Sequence, residues 1–295
     1  LHPPRLTVWR ARRDGRGFAE APGAPDPPPL AVIGARACDL AAVAIQDRVL
    51  RDGAHPDPAY AARRRDLFIV AVACSRPGGA CFCVSMGAGP GVTGGCDLAL
   101  TELIGHDRHE FLVEMLTEAG ARAMAGVPSR PAVPADRQAA DEVVAAARAR
   151  MGRALDPEEA RVRLRDHPEH PAWDEVAARC LACGNCTMVC PTCFCTAVED
   201  TTDLSGTQAA RVRRWDSCFS AAFSSIHGGP VRGSIRSRYR QWLTHKLSTW
   251  VEQFGTAGCV GCGRCIAWCP AGIDLTETAR AVGRSEPAAA GGGAG

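Results

Sequence analysis

The sequence predicts an α+β fold in two parts: an N-terminal α/β domain over residues 30–127 and an all-helical domain over residues 172–283. Three observations predict it. Residues 67–73 (Leu67-Phe68-Ile69-Val70-Ala71-Val72-Ala73) form an unbroken apolar run with β-branched side chains, the pattern of a central strand buried on both faces. Residues 234–254 place Ile235, Tyr239, Trp242, Leu243, Leu247 and Trp250 mostly three and four apart, as on the apolar side of a helix. The spacing Cys-x2-Cys-x2-Cys-x3-Cys-Pro occurs twice, at residues 180–191 and 259–270, and the second part is organised around it.

Residues 1–29 open on the alternation Leu6-Thr7-Val8-Trp9, which suits one edge strand. They then run into glycine and proline, ending at Pro27-Pro28-Pro29, and the start at Leu1 rather than Met suggests a truncated beginning. Residues 30–34 read as a short buried strand. Asp39 is expected to cap a helix over residues 40–50 that turns Leu40, Val43, Ala44 and Val49 to one side. Asp57-Pro58 opens another short helix, with proline where its missing N–H costs nothing. After the strand at 67–73 come a Cys- and Gly-rich loop over 74–96, a helix capped by Asp97 and running to about residue 104, and a strand at 111–116. Residues 128–171 read as a linker, proline-rich at 128–134, followed by exposed, charged helices at 135–151 and 157–166 that bridge to the second part. Residues 284–295 are a flexible Ala/Gly tail.

The 295 residues carry a formal net charge of +2 and only 5% aromatics. Arginine is abundant and lysine nearly absent, a bias of coding composition. Near-neutral charge without an aromatic stacking platform argues against nucleic acid. Absence of a long apolar run argues against a membrane span. Sixteen cysteines in tight triplets do not resemble a small secreted disulfide scaffold, so a reducing cytoplasmic setting is expected.

Three cysteines at two-residue gaps wrap one face of a cubane [4Fe–4S] cluster, and in two-cluster ferredoxins the fourth cysteine reaches the other cluster. That pattern assigns Cys180, Cys183, Cys186 and Cys269 to one cluster, and Cys259, Cys262, Cys265 and Cys190 to the other. Gly184 and Gly263 follow the second cysteine of each run, where a tight loop needs a permissive residue. Zinc is the competing occupant, but it has no use for a third and fourth cysteine or for the proline. The expected fold of the second part is therefore an all-helical two-cluster ferredoxin domain. Its basic stretch, from Arg211, Arg213 and Arg214 to Arg232, Arg236, Arg238 and Arg240, is read as an offset to cluster charge, a docking face for an acidic partner or a solvated helix face.

Cys38, Cys74, Cys81 and Cys83 follow strands of the α/β domain, where loops share one sheet edge. They form a candidate third [4Fe–4S] site; the alternative is small buried side chains. Cys193 and Cys195 lie close enough to Cys190 to tune its cluster or to replace a ligand, while Cys96 and Cys218 read as packed thiols. The loop Gly87-Ala88-Gly89-Pro90-Gly91 is interrupted by Pro90 and suits a cluster cover better than a nucleotide. No catalytic constellation stands out.

Several segments together carry a family resemblance. They are Arg36-Ala37-Cys38-Asp39-Leu40, residues 74–87 and 97–102, residues 180–195, Arg214-Trp215-Asp216-Ser217-Cys218-Phe219, Arg238-Tyr239-Arg240-Gln241-Trp242, Gly261-Cys262-Gly263-Arg264-Cys265 and Gly272-Ile273-Asp274. Over roughly residues 30–280 the chain resembles the dicluster iron–sulfur subunit of cytosolic multi-subunit reductases. Members of that family are the beta subunit of NAD(P)-linked nickel–iron hydrogenases (sulfhydrogenases) and the A subunit of anaerobic sulfite reductase. The resemblance implies a flavoprotein partner that oxidises NAD(P)H and a catalytic subunit bearing nickel–iron or sirohaem, with this chain relaying electrons between them. The residue-level alternative is a self-contained iron–sulfur oxidoreductase with its own flavin or substrate site in the α/β domain.

Overall fold

A computed structural model describes residues 1–15, 17–21, 27–106 and 108–284. Residues 285–295 of the expected tail and residues 22–26 of the Gly/Pro-rich start lie outside the described residues.

The α/β part is a four-stranded sheet in the order β3-β4-β5-β6. Strand β3 (Leu30–Ala35) pairs parallel with β4 (Leu67–Val72), β4 pairs parallel with β5 (Leu98–Ile104), and β5 pairs antiparallel with β6 (His109–Met115). Helices α1 (Ala37–Leu50) and α2 (Pro58–Arg65) connect β3 to β4, and Asp57 caps α2 as expected. Two helices follow β6: the short α3 (Glu118–Met124) and the 16-residue α4 (Pro134–Ala149), the latter laid over β5 and β6.

Three expectations are corrected here. Residues 30–34 are not buried: β3 is an edge strand, and Ile33 is 79% exposed. The helix α1 starts three residues earlier than expected, with Arg36 in the cap position and Asp39 accepting from its backbone N–H at 2.9 Å. Residues 98–104 are a strand, not a helix. Asp97 accepts from the Ile69 N–H at 2.8 Å and the Thr117 hydroxyl at 2.6 Å, so its carboxylate clamps the sheet instead of capping a helix. Apolar runs of this length suit either state, and here the edges offered by β4 and β6 decide.

The second sheet, β2-β1-β8-β7, joins the start of the chain to the segment between the two cysteine runs. Strand β1 (Arg5–Arg13) pairs antiparallel with β8 (Gln208–Trp215), flanked by β2 (Phe18–Glu20) and β7 (Thr196–Thr202). The start is thus far more strand than expected, and residues 172–283 are not all helical. Between the two cysteine runs lies a hairpin whose Asp203 carboxylate accepts the Thr207 and Gln208 N–H groups at 2.8 and 2.9 Å and so shapes the turn. Its strands are largely exposed and polar, which is why no apolar alternation announced them. Ion pairs hold them instead: Arg211 to Asp200 at 2.7 Å, Arg214 to Glu199, and Arg213 to Asp57 of the α2 cap at 2.6 Å. With Arg236 and Arg240 paired to Glu169, much of the basic stretch is neutralised within the chain.

The remaining elements surround the cysteine runs. They are α5 (Pro157–Asp166), α6 (Ala172–Arg179), the short α7 (Asn185–Met188), α8 (Ile235–Thr244), a π-helical turn (His245–Thr249), α9 (Trp250–Phe254), the short α10 (Arg264–Ala267) and α11 (Leu275–Ala281). The predicted long helix is therefore present but interrupted by the π turn. Helix α5 is not an exposed bridge, because it buries Ala160 and Leu164 against the π turn, α8 and α11. Trp173, Leu164, Leu243, Leu247 and Leu275 form the fully buried heart of this core. The Trp173 indole N–H donates to the His167 carbonyl at 3.0 Å, satisfying its one polar atom. No described helix is long and apolar enough to cross a membrane. Replacing Trp173 by Ala should cost about 3–5 kcal/mol of unfolding free energy, measured by chemical denaturation, because a large cavity opens where neighbours cannot collapse.

Candidate metal centres

The two cysteine runs share one local build. Each turns at a glycine in the left-handed region, Gly184 at φ 73° and Gly263 at φ 70°, and enters a four-residue helix, α7 or α10. Main-chain amides turn toward the sulfurs. The Ala182 N–H reaches Cys180 Sγ at 3.4 Å, Gly261 N–H reaches Cys259 Sγ at 3.5 Å, and Ile273 N–H reaches Cys269 Sγ at 3.4 Å. Such donors favour the thiolate form that binds metal. The last cysteine of each run lies just past its helix rather than on it, in turns where the Cys190 N–H donates to Thr187 O and the Cys269 N–H to Ile266 O.

Two cavities result. Cys180, Cys183, Cys186 and Cys269, with Cys265 beside them, line one whose walls include Leu181, Phe219, Tyr239, Trp242 and Ile273. Cys190, Cys259, Cys262 and Cys265 line the other, with Phe82, Thr192 and Lys246. Each therefore combines three thiols of one run with the fourth of the other. Among the described residues no group of three or more His, Cys, Asp or Glu side chains converges to hold a single metal ion. Four thiols ringing a cavity are a donor set for a polynuclear cluster.

Burial pushes the Cys186 thiol up to about 12, and Cys180, Cys183 and Cys269 nearby add to it. Burial also pushes Cys259 up to about 11, against the opposing pull of Lys246. Thiols this reluctant to ionise lose their protons to a metal, not to water. Cys190 moves the other way. A hydrogen bond from Cys193, then the charge of Lys246 and the Thr192 hydroxyl, hold it well below the ordinary thiol value despite complete burial.

Cys38, Cys74, Cys81 and Cys83 gather beside the second run. Cys81 Sγ lies 3.6 Å from the Cys262 carbonyl, and Cys83 Sγ lies 3.9 Å from Met151 Sδ. Burial pushes Cys83 up to about 11, with Cys81 and Cys74 adding, and pushes Cys38 up to about 12, with Asp39, Cys262 and Cys83 adding. Cys96 sits apart in the core of the α/β sheet. Cys195 shares a hydrogen bond with Cys218. Sequence reasoning missed Lys246, although a lone lysine among so many arginines was a visible signal.

The segment carrying Cys81 and Cys83 is seated on the second run backbone to backbone. The Phe82 N–H donates to Gly261 O at 2.8 Å, and a Cβ on Gly261 would fall 2.5 Å from Phe82 O. A Cβ on Gly263 would fall 2.3 Å from Ala80 O. Arg264 adds an ion pair to Asp39 of α1 at 2.6 Å.

Residues 179–273 match the family model described as a 4Fe-4S dicluster domain. Over 258 residues the chain is 31% identical to sulfhydrogenase 2 subunit beta of Pyrococcus furiosus, covering 82% of this chain and 71% of that protein. The chain belongs to the sulfhydrogenase beta-subunit family. No solved structure matches it. In this sulfhydrogenase-beta-type chain the matched dicluster segment holds both cysteine runs, the β7–β8 hairpin and Lys246, while Cys38, Cys74, Cys81 and Cys83 lie outside it.

Gly261→Ala should destabilise the protein by about 2 kcal/mol or more, from a left-handed backbone and an overpacked contact together. Amide hydrogen exchange should then report faster opening at residues 80–83 than at the distant Trp173 core.

Proposed function

We propose that this chain is the iron–sulfur electron-transfer subunit of a soluble hydrogenase complex, with Cys180, Cys183, Cys186 and Cys269 holding one [4Fe–4S] cluster and Cys259, Cys262, Cys265 and Cys190 the other. The observation that carries the reading is the pair of cavities, each ringed by three thiols of one run and the fourth of the other. The clusters supply one-electron storage at potentials set by hydrogen bonds, charge and exposure. The chain's own residues hold them, aim amides at their thiolates and exclude water.

Cys38, Cys74, Cys81 and Cys83 are proposed to hold a third cluster, next in line after the Cys259 run. The Cys180 site lies nearest the surface: Cys183 is exposed, Leu181 is 66% exposed and Trp268 is 63% exposed. Electrons would pass between this face and the α/β domain, linking a flavoprotein subunit that oxidises NAD(P)H to a nickel–iron catalytic subunit. The cytoplasm is the setting that suits sixteen cysteines kept as thiols and ligands. A second reading has one observation in its favour. A cavity of about 730 Å³ bounded by α1, the Gly-rich loop, β5, β6 and α4 is large enough for a ligand of the α/β domain's own.

Anaerobically purified protein should contain about eight irons and eight sulfides per chain, or about twelve with a third cluster. It should be inert until mixed with a flavoprotein reductase; bound flavin and turnover by the chain alone would select the second reading. Cys269→Ser should perturb the EPR signal of the Cys180 site and Cys190→Ser that of the Cys259 site, and the reverse outcome removes the crossed assignment. Trp268→Ala should leave the iron content unchanged and slow reduction by the partner severalfold in stopped-flow traces.

A further inference from the structure

The Cys190 side of the second cavity contains a buried cation. Lys246 is 5% exposed and is the only lysine in the chain; every other cationic side chain of that kind among the 34 Lys and Arg residues is arginine. Its Nζ donates to Cys190 Sγ at 3.1 Å, Thr192 Oγ1 at 3.1 Å and Gly258 O at 2.7 Å. An ammonium has three donors, and all three are used. A planar guanidinium has no such compact tripod, which gives a physical reason for lysine here in an arginine-rich chain.

The backbone is bent to deliver it. Lys246 stands on the π-helical turn between α8 and α9, an irregularity that often accompanies functional sites. The Gly258 N–H donates to Lys246 O at 2.8 Å, so the lysine's own carbonyl is tied to the start of the second cysteine run. The ammonium faces only acceptors, a sulfur, a hydroxyl and a carbonyl, so its charge is met by hydrogen bonds on every side.

The other cavity has no matching group. Its lining is thiol, aromatic and aliphatic apart from the neutral Asn185, whose amide donates to the Trp268 carbonyl. Arg238 has only a minor influence on Cys180 and donates to the Phe219 carbonyl at 2.9 Å. Arg264, which also acts on Cys262, is paired with Asp39. The two sites therefore differ by one desolvated positive charge.

We propose that Lys246 makes the Cys190/Cys259/Cys262/Cys265 site the more easily reduced of the two, so that an arriving electron comes to rest there. This rests on the cluster-binding reading above. An added electron increases negative charge on the thiolate sulfurs, and a cation 3.1 Å from one of them favours that state in a medium that screens poorly. The transfer is one electron from the Cys180 site, which is oxidised, to the Cys190 site, which is reduced. No proton moves. Lys246 is a positioning residue for charge, not a ligand.

Iron and sulfide counts on the wild-type protein test cluster binding by itself; fewer than about eight of each would fail that reading whatever Lys246 does. The inference is tested by anaerobic redox titration monitored by EPR, with the sites told apart by the Cys190→Ser and Cys269→Ser signatures. The Cys190 site should be reduced first in the wild type. In Lys246→Met its midpoint should fall by at least the equivalent of a tenfold change in electron distribution, about 59 mV for one electron, with the Cys180 site unmoved. Lys246→Arg, which keeps the charge, should recover most of that shift in molecules that load their clusters. Equal shifts at both sites, or a smaller shift with iron content intact, would overturn the proposal. Should Lys246→Met fail to load, the wild type still decides, since first reduction at the Cys180 site is incompatible with it.

Discussion

The structure depends on a contact between two stretches of main chain with no side chain between them. Residues 80–83 lie against residues 261–263 so closely that a Cβ on Gly261 or Gly263 would overlap a carbonyl. This seam, with the Arg264–Asp39 ion pair and the packing of Ala42 and Ile45 beside Val260, joins the N-terminal part to the second cysteine run. It sets Cys81 beside the Cys262 carbonyl and places Phe82, fully buried, in the wall of the second cavity. Side chains at a seam can adjust; backbones cannot, and this gives the seam its rigidity.

The same economy of space governs the two cavities. Their thiols come from loops that are locally alike, yet their surroundings differ in kind. One is walled by Phe219, Tyr239 and Trp242 and approaches the surface at Cys183; the other is enclosed and contains an ammonium. Local cysteine spacing thus builds two equivalent holders, and the long-range packing around them makes the two inequivalent.

The hairpin between the runs is held by strand pairing and ion pairs rather than by burial. Its strands are too polar to be buried, and they persist because β1, almost two hundred residues earlier, completes their ladder. The arginines of β8, which look like a basic face when read along the chain, spend their charge on Asp200, Glu199 and Asp57. Charge counted along a sequence overstates the field of the folded protein whenever acidic partners arrive from elsewhere.

Whatever depends on local spacing can be read along the chain. Cysteine intervals with left-handed glycines, the Asp57-Pro58 helix start and the apolar strand at 67–73 were all legible because each is settled within a few residues. Residues 98–104 were misread, since an apolar run becomes strand or helix according to the neighbours it meets, and β4 and β6 lie elsewhere in the chain. Strands β2, β7 and β8, the full length and inner position of β1 and the exposure of β3 were hidden for the same reason: pairing and edge position are non-local. Folding alone brought Lys246 to Cys190 and gave the two cavities different walls. The physical reason is that short-range spacing shapes a loop, while the charge and solvent that act on that loop come from residues the chain reaches only by folding.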